Sequence, residues 1–319
     1  MKHLIALMLP VVAMLWAGTP VAAQEVPPAW AYPVNPPDFQ PPADDGTPRK
    51  VPNSTVTLTL SQVRDRFYAP DWHPGDHPAL PEAVARGTKP EAFACGFCHR
   101  ADGAGGPENA NLMGLPAAYI MQQIVDFKSG ERKSAVMNRA PMSLKVTLAK
   151  AVTDQETALA AAYFASIKPR ANIRVVESET APKSVVAAWF LVAAEGGGTE
   201  PIGERIIEIA DDVERFISRD ARVTFTAYVP TGSIQKGRDL AAGKDGAAPC
   251  DACHGENLKG AGDIPGIAGK SPTYVFRQLY DYKNGVRAGP GSAAMTPSVE
   301  KLTTSDLIAL SAYAASLAP

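Results

Sequence analysis

Cys95-Gly96-Phe97-Cys98-His99 and Cys250-Asp251-Ala252-Cys253-His254 use all four cysteines of the 319-residue chain. Cysteines three apart fall on one side of a helical turn, so both sulfurs reach the same planar group. The histidine that follows stands beside them. This is the attachment pattern of a c-type haem: two thioethers to the vinyl groups of one porphyrin, and an imidazole for its iron. Its duplication predicts two covalently bound haems c, held by Cys95 and Cys98 and by Cys250 and Cys253, with His99 and His254 on the irons.

The segments around the motifs repeat. Tyr119, Gln123, Asp126, Lys128, Gly130 and Arg132 match Tyr274, Gln278, Asp281, Lys283, Gly285 and Arg287, every pair 155 residues apart, as Cys95 is from Cys250. Ala162-Tyr163-Phe164-Ala165-Ser166 is echoed by Ala312-Tyr313-Ala314-Ala315-Ser316 at an offset of 150. Both later segments open with capping-box spacing, Thr153 with Glu156 and Thr303 with Asp306. Shared spacing on two elements after each motif predicts two homologous domains, 80–170 and 231–319.

The remainder is not repeated. Lys2 and His3, the apolar run Leu4 to Ala17 and the small-residue site Val21-Ala22-Ala23 read as a secretory signal peptide, 1–23; the run is shorter than the roughly 20 residues a membrane span needs. Haem attachment to such cysteines takes place outside the cytoplasm, so the leader and the motifs agree on the periplasm. Residues 24–79 open with nine prolines between Pro27 and Pro52, which preclude a helix; this is an extended arm or a tether. Thr55 to Leu60 alternates as a short strand would. Between the repeats, 171–230, the runs Ile173–Val176, Ser184–Ala193, Glu204–Ala210 and Arg222–Val229 predict a small β segment, since a structureless loop of that length is improbable. The expected fold is thus mainly α. Without Lys2 the chain carries 30 basic and 33 acidic side chains, with no basic stripe for nucleic acid and no transmembrane segment in the mature chain.

An electron-transfer haem needs a sixth ligand, commonly Met. After His254 the only methionine is Met295, in a small-residue loop, and it is the candidate there. The first half offers Met113, Met121, Met137 and Met142. Met113 follows the motif too closely, and Met121 reads as core filling within a helix. From Arg132 to Tyr163 the first half is five residues longer than its repeat; Met142 spreads that excess evenly and, like Met295, has a proline nearby, so it is favoured over Met137. His73 and His77 flank prolines that rule out a shared helix face, and read as structural or surface residues rather than a metal site with Asp71 and Asp76.

On these motifs, the paired Tyr-x-x-x-Gln-x-x-Asp segments, the Met loops and the final Ala-Tyr-x-Ala-Ser helices, the sequence resembles class I cytochromes c in tandem, like dihaem cytochromes of the c-four type. The resemblance covers about 80–170 and 231–319. It implies a helical domain around each haem, His/Met ligation and single-electron transfer in the periplasm with a redox partner protein, a dehydrogenase or terminal oxidase. Two departures stand out. Ile234 to Ala242 can form the helix that precedes the second motif, with Gly237 at a helix crossing, whereas the first motif is preceded only by a short or broken helix. The arm and the β segment are additions, either of which could shield a haem edge or dock a partner. Non-standard behaviour is therefore expected at the first haem.

Three functions compete. A carrier or cytochrome subunit needs only six-coordinate iron and an exposed edge. A dihaem enzyme, a peroxidase or thiosulfate-oxidising cytochrome, needs one open or labile position; a candidate Met in each half disfavours it. A four-cysteine zinc site or a thiol–disulfide pair leaves both histidines and both Met loops as coincidence.

Overall fold

The computed structural model describes residues 26–244 and 249–319; the expected signal peptide lies outside the described residues. The first helix, α1 (Leu60–Arg64), starts where Thr59 accepts a bond from the Gln62 amide and Gln62 Oε1 accepts one from the Thr59 amide. The strand expected over Thr55 to Leu60 does not form. Only one bridge, Arg49 to Leu58, is made, and Val56 and Leu58 instead turn into a cluster with Val51, Val63 and Trp72.

The first motif is preceded by α2 (Glu82–Ala85) and a two-residue hairpin, β1 (Gly87–Thr88) with β2 (Ala92–Phe93). The motif forms α3 (Cys95–His99). Then come α4 (Ala117–Ser129), α5 (Ala140–Ala151) and α6 (Asp154–Ser166). Gly130 ends α4 at φ 80°, a left-handed cap that glycine adopts without strain. Pro141 lies in the first turn of α5, where its missing N–H costs nothing. These helices close on Val84, Met113, Ala161 and Phe164.

The second motif is built the same way: α8 (Ser233–Ala241), α9 (Asp251–His254), α10 (Pro272–Lys283), α11 (Ser292–Val299) and α12 (Thr304–Ser316). Here the leading helix is longer, as the sequence suggests. It crosses α12 at Gly237, where a β-carbon would lie 2.0 Å from the Ala309 carbonyl oxygen. Met295 lies within the short helix α11, not a loop; Ala293 and Ala294 are good helix formers, and α11 continues past Pro297 to Val299.

Between these units, β3 (Ile173–Glu177) pairs in parallel with β9 (Phe225–Val229), which pairs antiparallel with β8 (Ile207–Ala210). Ribbons β4 (Thr180–Pro182) with β7 (Thr199–Pro201) and β5 (Ser184–Ala187) with β6 (Phe190–Ala193) extend from it, and α7 (Val213–Ile217) connects β8 to β9. The sheet docks on the second unit: Ile206 and Val229 share a core with Phe276, Tyr280, Leu307 and Ile308. The start of the proline-rich arm docks there too. Trp30 lies 4.6 Å from the Phe276 ring, and the Tyr32 hydroxyl donates to Asp281 Oδ1 at 2.7 Å. Further along, Trp72 Nε1 donates to the Ser218 carbonyl and His73 Nε2 meets Asp220 Oδ1 at 3.0 Å. The arm is therefore a strap over the body rather than a tether. No helix among the described residues is long and apolar enough to cross a membrane.

Candidate functional site

Each motif opens onto its own cavity. Cys250, Cys253 and His254 line a space of about 440 Å³ with Leu279, Met295, Leu302 and Leu310, within the range of small-molecule and cofactor pockets. Cys95, Cys98 and His99 line a tighter space, about 110 Å³, with Leu112, Ile124, Phe127, Leu144, Lys145 and Leu148. Because the cysteine pairs face different cavities, they do not assemble a four-cysteine zinc site. Among the described residues no group of three His, Cys, Asp or Glu could hold a metal ion.

The histidines are oriented alike. His99 Nδ1 lies 2.8 Å from the Ala110 carbonyl oxygen, and His254 Nδ1 lies 2.8 Å from that of Pro265. With Nδ1 donating to a carbonyl, Nε2 of each ring is left for iron, the usual arrangement of an oriented imidazole ligand. Ala110 and Pro265 are themselves 155 residues apart, so this shared feature was within reach of the repeat. Burial pushes His99 down to about 4, helped by the nearby positive Lys145, and burial also lowers His254; both are neutral, ligand-competent imidazoles at neutral pH.

Burial pushes the Cys95 thiol up to about 12 and raises Cys98. Such thiols are poor nucleophiles, which argues against the disulfide-exchange reading. An apolar cavity, two sulfurs on one turn and a pre-oriented imidazole together fit a covalently held haem at each motif. Burial also brings Lys145, in the first cavity, down to about 7.

The two cavities are separated by a polar network with near two-fold symmetry. Arg132 donates from Nη1 to Gln123 Oε1 at 2.7 Å, and from Nη2 to Gln278 Oε1 at 2.9 Å and the Tyr274 hydroxyl at 3.1 Å. Arg287 donates to Gln278 Oε1 at 3.0 Å, Gln123 Oε1 at 2.8 Å and the Tyr119 hydroxyl at 3.0 Å. The backbone joins as well: Lys133 N–H donates to the Val286 carbonyl and Ala288 N–H to that of Glu131. Tyr119 and Gln123 line both cavities, Arg132 the first and Arg287 the second.

No family model matches the chain. Cytochrome c4 of Azotobacter vinelandii is 26% identical over 242 residues, 74% of this chain and 89% of that protein. The thiosulfate dehydrogenase electron acceptor of Thiomonas intermedia is 27% identical over 229 residues, 71% of this chain and 79% of that protein. Cytochrome c-554(548) of Halomonas halodenitrificans is 38% identical over 76 residues, 24% of this chain and 92% of that protein.

The chain belongs to the c-type cytochromes. Its relatives of the c4 kind place it among the dihaem, two-domain electron-transfer cytochromes, and it carries two covalently bound haems c.

The cytochrome's sequence-predicted ligands fall out unevenly. The second cavity brings Cys250, Cys253, His254 and Met295 together. The first gathers Cys95, Cys98 and His99 but not Met142. Met142 is buried in a cluster with Phe127, Ala149, Ile124 and Val146, of which Phe127 and Ile124 also line that cavity. Its proline does not correspond to that of Met295: Pro141 lies in the first turn of a helix, while Pro297 lies inside one. Met137 is 47% exposed, and Met121, expected in the core, is 38% exposed. His77 meets Asp71 at 3.2 Å, and Arg222 holds Asp76 with two bonds of 2.7 Å, so the polar residues of that loop are spent on structure, as the sequence suggests.

Proposed function

We propose that this protein is a periplasmic carrier or cytochrome subunit that relays single electrons between a redox enzyme and the respiratory chain. Domains 80–170 and 231–319 would each hold one haem, with 24–79 and 171–230 as added strap and sheet, and 1–23 as the removed leader. Thioethers would form at Cys95 and Cys98 and at Cys250 and Cys253, with His99 and His254 as iron ligands and Met295 as a further ligand in the second domain. When bound, haem iron supplies one-electron redox chemistry. The protein's own residues hold each porphyrin in an apolar cavity, fix each imidazole through a carbonyl, and exclude water.

The observation that carries this reading is the pairing of two Cys-x-x-Cys-His cavities across one shared Arg132/Arg287 network. Arg132 lines the first cavity and Arg287 the second, so their guanidiniums would compensate the anionic propionates of bound porphyrins. Because one relative is the electron acceptor of a thiosulfate dehydrogenase, a dehydrogenase that oxidises reduced sulfur compounds is the partner class we favour. A pyridine haemochrome assay should give two covalent haems per chain, and a reductive titration two one-electron steps. A thiosulfate-oxidising dehydrogenase should reduce the protein rapidly in stopped flow. A reduced haem that binds carbon monoxide readily would instead support the dihaem-enzyme reading.

A further inference from the structure

The second repeat offset reaches further back than the final helices. Thr153 and Thr303 cap α6 and α12 at an offset of 150, each with its own capping box. Carried backward, the same offset pairs Val152 with Leu302, both 8% exposed, and Ala149 with Val299, both buried. It also pairs four residues on the walls of the two cavities. From α5 and its cap, Leu144, Lys145, Leu148 and Val152 line the first cavity. Their counterparts 150 residues on, Ala294, Met295, Ser298 and Leu302, all line the second. The position that holds Met295 in the second domain is held in the first by Lys145. The five-residue excess of the first domain therefore lies wholly between Arg132 and Leu144.

We propose that the ε-amine of Lys145, not the thioether of Met142, is the sixth ligand of the first haem. The inference rests on the dihaem reading above and deepens it. Lys145 lines the cavity together with His99, whereas Met142 is not among its lining residues and packs against Ala149, Ile124 and Phe127. An amine nitrogen is a harder donor than a thioether and stabilises oxidised iron, while Met raises the potential. The first haem is then the lower-potential centre, and an electron entering there runs downhill to the His254/Met295 haem.

The test uses the exported full chain with both haems, counted by pyridine haemochrome; fewer than two covalent haems sinks the dihaem reading itself. With two present, the sulfur-to-iron absorption band of the oxidised protein counts the Met-ligated haems. Wild type is expected to show the band at the strength of one haem, Met295→Ala to abolish it, and Met142→Leu to leave it unchanged. Lys145→Met should double it and raise the lower of the two reduction potentials. A wild-type band of two-haem strength, a band halved in Met142→Leu, or a first-haem low-spin resonance unchanged in Lys145→Ala would each overturn the assignment while leaving the two haems in place.

Discussion

Gly237 is a residue whose side chain is defined by what cannot be there. An alanine at an interior helix position is favoured over glycine by about 1 kcal/mol, yet here its β-carbon would stand 2.0 Å from the backbone oxygen of Ala309 and 2.7 Å from Tyr313 Cβ. Backbone cannot swing aside, so α8 and α12 must separate. Gly237→Ala is expected to destabilise the holoprotein by roughly 1–3 kcal/mol in thermal or denaturant unfolding; a neutral or stabilised variant would mean that the helices do not approach this closely. A second residue-scale prediction concerns His77. Its hydrogen bond to Asp71, against an opposing burial effect, raises its pKa above the ordinary value of about 6.5. A raised folded-state pKa contributes stability that is complete below the unfolded value and is lost as pH rises through the folded one. Wild type should therefore exceed His77→Gln by up to about 1 kcal/mol in mildly acidic buffer, and the gap should narrow in alkaline buffer. A gap that widens with pH would reverse the sign and rule the pair out.

At the scale of elements, what the sequence made legible is what repeats. The capping boxes of α6 and α12 are read from Thr153-x-x-Glu156 and Thr303-x-x-Asp306, and the structure closes both, with Asp306 N–H donating to Thr303 Oγ1 at 3.2 Å and Thr303 N–H to Asp306 Oδ2 at 2.8 Å. Thr303→Ala should lower stability by about 1 kcal/mol, and Thr303→Ser should restore most of it. What misled was local pattern without a partner. Thr55 to Leu60 alternates like a strand, but a strand also needs a neighbouring ladder, and only the Arg49 bridge supplies one. Met142 is the ligand that the proposal above reassigns. Spreading a length difference evenly on both sides of a residue presumes that insertions are shared; under the Lys145 proposal the capped helix and the wall before it keep one offset, and the extra residues fall ahead of Leu144. The β segment was readable as strands but not in its pairing: β3 lies beside β9, some fifty residues later, and nothing local encodes that contact.

At the scale of the whole molecule, the repeat has a meaning that spacing alone does not reveal. Tyr119, Gln123 and Arg132 match Tyr274, Gln278 and Arg287 in sequence, and in the structure each set binds the other. Gln123 Oε1 accepts from both arginines, and so does Gln278 Oε1. Two guanidiniums that share two acceptors are not independent. Remove one, and each glutamine oxygen keeps a donor, so the loss is partial; remove both, and the oxygens are left buried without either cation. The energies of Arg132→Met, Arg287→Met and the double variant should consequently fail to add, with a coupling of roughly 0.5–3 kcal/mol. The same cycle read on the two reduction potentials carries more weight. Each positive charge near a haem stabilises its reduced form, and a shared network places both charges between the two cavities. Either single variant should therefore lower both potentials, not only that of its own domain. A shift confined to the domain that carries the substitution would mean that the domains merely touch, and that the network holds them together without coupling their electrons.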